Sequence, residues 1–150
     1  MRWTAGAATI EQLLRDDRLE RVQGARADGR SWLDRALRTL AAAQAVTEVS
    51  TDNAFILAYD SARLACTALL IQQGLRPSTS GGHYAVEAAV RAQFGTALRA
   101  FGPLRRRRHE LEYPLYATEL ASRDEAAEAI QAASELIEAV TKILPSLGFF

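Results

Sequence analysis

The chain has 150 residues, 49% of them apolar and 24% charged, which is enough for one buried core and too apolar for a disordered segment. Its 18 Lys and Arg balance 18 Asp and Glu, so no global field draws the whole molecule to nucleic acid or to a membrane surface. The single cysteine, Cys66, excludes an internal disulfide and a cysteine-based zinc site, and fits a reducing compartment.

The apolar spacing is helical along the chain, and no stretch alternates in the manner of a strand, so no sheet is expected. Residues 1–8 read as a loose end. Thr9 and Gln12 form a capping box for a short first helix that fades near Asp16 and Asp17. After Gly29, "RSWLDRALRTLAAAQAV" places Trp32, Leu33, Ala36, Leu37, Leu40 and Ala43 on one face, an amphipathic helix expected to end near Val49. Ser50 or Thr51 then caps "TDNAFILAYDSARLACTALLIQQG", apolar almost all round and stopped by Gly74, as befits the central helix of a bundle. "LRPSTSGG" reads as a loop, and a fourth helix begins near Gly82 or His83 and runs to the Gly102–Pro103 break.

Proline suits the first turn of a new helix, so the run Arg105–Arg106–Arg107–Arg108 opens one, and Pro114 should close it. A second capping box, Ser122 with Glu125, starts the last helix, which stops at Pro145. No repeat, long linker, signal peptide or membrane-length apolar stretch is read. The expectation is one domain over residues 1–150, an all-α up-and-down bundle of four long helices plus short ones, in the cytoplasm and away from membranes.

Charge is unevenly spread within that bundle. From Glu119 onward six acids face two bases, whereas Arg99 to Arg108 holds five arginines and no acid. On a helix of 3.6 residues per turn the four consecutive arginines point about 100° apart, so at least one faces the bundle. An inward guanidinium needs an acceptor such as Asp60 or Glu112, or a ligand phosphate. The alternative is a solvated face with a surface pair between Arg108 and Glu112. In the central helix Asn53, Asp60, Arg63 and Thr67 form a polar stripe, either an internal Asp60–Arg63 pair or the wall of a cleft. His83 reads as local capping, and Tyr59, Tyr84 and Phe94 read as core. Two histidines without an acidic cluster make no metal site, and no phosphate loop or serine-hydrolase elbow is present, so no cofactor is expected.

Four stretches in this order resemble the HEPN domain family of small bacterial helical bundles: "FILAYDSARLACTALLIQQGLRP", "SGGHYAVEAAVRAQFG", "LRRRRHELEYP" and "DEAAEAIQAASELIEAVTKIL". The resemblance covers roughly residues 7–145. It implies a role in a toxin–antitoxin or defence system, a homodimer pairing its motif helices, and RNA as the ligand. The family's ribonuclease signature is an arginine, a polar residue, and a histidine about five positions after the arginine. Arg108 matches the arginine and His109 its polar neighbour, but the histidine position is Tyr113. The catalytic set carried over is therefore Arg108, His109 and Tyr113, with Arg105, Arg107, Asp60 and Arg63 as RNA- or nucleotide-binding residues. Tyrosine is a poor general base near neutrality, so the resemblance leaves two outcomes, a metal-independent endoribonuclease or a non-catalytic binding module. In the second, the partner is a nucleotidyltransferase antitoxin, and Tyr113 or Tyr116 is the candidate acceptor of a nucleotide.

Overall fold

Residues 4–150 are described by a computed structural model; the part of the expected loose end at Met1, Arg2 and Trp3 lies outside the described residues. Six helices pack together: α1 (Ala7–Arg15), α2 (Gly29–Val46), α3 (Thr51–Gln72), α4 (Gly82–Phe94), α5 (Phe101–Glu112) and α6 (Arg123–Ile143). Single turns of 3₁₀ helix occupy Gly24–Ala27, Gly95–Leu98 and Leu144–Ser146.

The core is built around α3. Ser50 accepts a hydrogen bond from the Asn53 amide at its start, and Gln73 and Gly74 end it. Along its length Ala58, Ala62, Ala65 and Leu69 are fully buried, and their small side chains let α2 and α6 approach closely. By length and composition α3 could cross a membrane, which the sequence reading overlooked. It is instead the core helix of the bundle, with 78% of its most apolar window buried. Beneath it, Gln73 and Gln93 exchange hydrogen bonds of 2.9 and 2.6 Å, so the two buried amides satisfy each other.

Several expectations are corrected. A two-stranded antiparallel sheet exists: β1 (Leu19–Arg21) pairs with β2 (Leu75–Pro77) through Leu19↔Pro77, Glu20↔Arg76 and Arg21↔Leu75. Three residues are too few to show alternation, and the pairing is fixed by burying Leu19 and Leu75 under the bundle. Thr9 and Gln12 do not cap α1, whose first turn begins at Gly6. Gly6 is left-handed (φ 67°), and a Cβ there would stand 2.7 Å from the Ala92 carbonyl carbon, so contact with α4 sets that start. α2 ends at Val46 rather than Val49, and Leu37 on its expected core face is half exposed. α4 stops at Phe94, well before Gly102–Pro103, because Gly95 takes φ 59° and turns the chain out of the helix. Tyr84, read as core, is exposed, whereas Tyr59 is fully buried.

Other boundaries agree with the sequence. α5 ends at Glu112 ahead of Pro114, and Ser122 caps α6 by accepting from the Glu125 amide at 3.0 Å. The segment between them returns to α3 through two hydrogen bonds of 2.6 Å. Thr51 Oγ1 donates to the Ala121 carbonyl, and the Ala121 amide donates to Asp52.

Candidate functional site

Phe101 and Leu104 anchor α5 in the core, so the arginines that follow are forced around a helix whose rotation is already fixed. Each takes a different neighbour. Arg105 donates to Glu87 on α4, a nearly buried carboxylate that also holds Arg91 at 3.2 Å and Arg106 at 3.8 Å. Arg107 donates to Glu125 on α6 and, at 3.0 Å, to Glu110; both carboxylates hold its guanidinium in the charged form. Two of the four arginines thus fasten α5 to its neighbours, one on each side.

Arg108 faces α3. It pairs with Glu112, as the four-residue spacing allows, and its guanidinium lies 5.8 Å from the centre of the Tyr59 ring. Its Nε is buried and has no hydrogen-bond partner. Asp60, offered by the sequence as an acceptor for the run, pairs within its own helix instead. The Arg63 Nε stands 3.9 Å from its carboxylate, too far for a hydrogen bond, and is also buried without a partner.

Between these two guanidiniums sits a pair that the sequence could not join. The Tyr59 hydroxyl meets Nδ1 of His83 at 2.7 Å, and the Tyr59 ring stacks on Phe101 with centroids 5.6 Å apart. Burial pushes the Tyr59 phenol well above its ordinary range, so it keeps its proton. That proton has one acceptor in reach, Nδ1 of His83, which puts the imidazole N–H on Nε2. Burial first, then the charges of Arg63 and Arg108, hold His83 below its ordinary value, so the ring is neutral near pH 7. His83 is therefore a neutral donor flanked by arginines, not the local cap expected of it.

Of the expected site residues, Arg108, Asp60 and Arg63 come together around Tyr59. Arg105 and Arg107 point away into ion pairs. His109 and Tyr113 lie on the outer side, their rings 4.9 Å apart, and Tyr113 caps the end of α5 with 67% of its surface exposed. Tyr116 is 69% exposed. The polar stripe on α3 splits: Asn53 bonds Ser50 at the helix start, and Asp60, Arg63 and Thr67 remain beside the cleft. Sequence reasoning missed Tyr59 and His83 as a site pair, since 24 residues separate them and only the packing of α4 on α3 unites them. Among the described residues no group of three or more His, Cys, Asp or Glu side chains stands ready for a metal. Burial raises the Cys66 thiol, so it stays protonated and inert inside α3.

A family model described as HEPN domain matches residues 30–144, from the first turn of α2 to the end of α6. No curated protein and no solved structure matches the chain.

Proposed function

Because the chain belongs to the HEPN domain family, whose domains typically serve as the ribonuclease component of toxin–antitoxin and defence systems, we propose that it is the RNA-associated component of a bacterial system of that kind, working in the cytoplasm. Arg108 carries this reading. A guanidinium held over an aromatic ring with a buried, unpartnered Nε has hydrogen-bonding capacity left for a phosphate oxygen. Arg63 and the Nε2–H of His83 add positive charge and a donor on the same side of Tyr59. Such a constellation binds a phosphodiester and stabilises charge that develops on it, with no metal required.

Proton transfer is the weaker part of an endoribonuclease reading. The position of the family histidine is Tyr113, and the Nε2 of His83 already carries a proton, so neither is a ready base near neutrality. A second reading therefore stands beside it, a binding module that pairs with a nucleotidyltransferase. The exposure of Tyr113 and Tyr116 favours it, because both hydroxyls can reach a partner's active site without unfolding. In either reading the protein works as a homodimer that brings two α5 helices together.

The test is one RNA at fixed salt with wild type, Arg108→Ala and Tyr113→His. For an active nuclease, Arg108→Ala lowers cleavage by roughly 10²–10³-fold, and Tyr113→His raises it by supplying a group that titrates near neutrality. For a binding module, wild type cuts at no pH, and Arg108→Ala weakens binding by an amount that shrinks as salt rises. If all three proteins behave alike in cleavage and in binding, the reading fails and the arginines serve only to hold α5.

A further inference from the structure

On the side of α3 away from α6's ion pairs, a cleft of about 200 Å³ lies beside the loop from β2 to α4, with Trp32, Arg63, Thr67, Arg76, Gly82 and His83 in its wall. Thr67 is the unusual residue there. A threonine inside a helix ordinarily donates to the carbonyl four residues back, as Thr39 does to Arg35 and Thr141 does to Ile137. Thr67 does not; it is 2% exposed, and its hydroxyl oxygen is buried with no partner at all. An unpaired buried hydroxyl is costly, and so is the unpaired Nε of Arg63 one turn earlier. Both line the same cleft.

The rest of the wall has one electrostatic sign. α4 opens at Gly82 with no side-chain cap, so the unbonded amides of its first turn and the positive end of its dipole face the cleft. The Nε2–H of His83 and the guanidinium of Arg76 add donors. The nearest carboxylates are Asp60, 3.9 Å from Arg63, and Glu20, 3.4 Å from Arg76; neither lines the cleft. Opposite the donors stands the half-buried indole of Trp32.

We propose that this cleft binds the phosphate of a nucleotide, held by Arg63, Thr67, His83 and the start of α4, with the base against Trp32. The inference rests on the RNA-associated reading above and specifies a subsite of it, one turn along α3 from the Arg108 contact.

In a Trp3→Phe background Trp32 is the only tryptophan, so its fluorescence reports the cleft directly. Titration with adenosine monophosphate, inorganic phosphate and adenosine is expected to give binding in that order, with none for adenosine. Thr67→Val keeps the side chain's shape and removes the hydroxyl. It is expected to weaken adenosine monophosphate about tenfold, the effect of one lost hydrogen bond, and to raise the melting temperature of the ligand-free protein. Arg63→Gln should weaken the nucleotide further still. Adenosine binding as tightly as its monophosphate, no response of Trp32 to any of the three, or an unchanged affinity in Thr67→Val each overturns the proposal. The two readings fail separately. Nucleotide binding here with no RNA cleavage or binding would sink the proposed function alone, and RNA cleavage with a silent Trp32 would sink this site alone.

Discussion

At 2.7 Å, the contact between Tyr59 and His83 ties the middle of α3 to the first turn of α4, and it decides what the site can do with protons. Tyr59→Phe keeps the ring stacked on Phe101 and removes only the donor, so urea unfolding should show a loss of about 1 kcal/mol. A larger loss, beyond about 3 kcal/mol, would mean that the hydroxyl orders more than His83. The imidazole itself makes a pH prediction. His83 is held below its ordinary value of 6.5 by burial and by Arg63 and Arg108, while Asp60 and Glu112 oppose this less strongly. A histidine with a depressed folded-state pKa refuses a proton that the unfolded chain accepts. Its contribution is therefore complete above pH 6.5 and is lost as pH falls from there toward the folded value. The melting temperature of wild type should fall more steeply from pH 7 to pH 5 than that of His83→Gln. Parallel curves would place His83 in water rather than among the arginines.

Among the helices, α5 has the least apolar grip on the core and relies most on charge. Glu87 of α4 gathers Arg91, Arg105 and Arg106, and Glu125 of α6 takes Arg107, so the motif helix is clasped from both sides. Removing the nearly buried partner should cost more than removing any one arginine. Glu87→Ala is expected to destabilise by about 1–3 kcal/mol and Arg106→Ala, at an exposed site, by less than about 0.5 kcal/mol. Equal losses in the two variants would refute the clasp. The sequence made α5 legible through Pro103 and Pro114, and α3 through its cap and its apolar surface. It also foretold that one arginine must turn inward, because helical geometry alone requires it. What it could not supply was the partner of each arginine, since Glu87 and Glu125 lie 18 residues from Arg105 and Arg107 on other helices. The β1–β2 pair and the early end of α4 were hidden for a related reason. Each depends on a long-range approach, of Leu19 to the β2 strand or of a left-handed Gly95, that no local pattern encodes.

For the molecule as a whole, one surface is left uncovered next to the site. Between α5 and α6 the chain displays Tyr113, Leu115, Tyr116 and Leu120, and Leu115 is 87% exposed. Scattered apolar residues on a surface need no explanation, but four within eight residues, beside the helix that carries Arg108, make a patch. The segment is not adrift, because Thr51 and Asp52 pin its far end at Ala121. A second copy related by a two-fold axis would cover this patch with the same patch and bring two Arg108 side chains to one cleft. That arrangement makes the dimer and the site a single property. Leu115→Asp with Tyr116→Asp should turn a dimer in sedimentation at micromolar concentration into a monomer with an unchanged far-UV helical spectrum. RNA binding, or cleavage where present, should fall in the variant and recover partly as protein concentration rises, because weak dimerisation is restored by mass action. A wild type that sediments as a monomer, or a monomeric variant with full RNA affinity, would separate the patch from the site and leave each α5 to act alone.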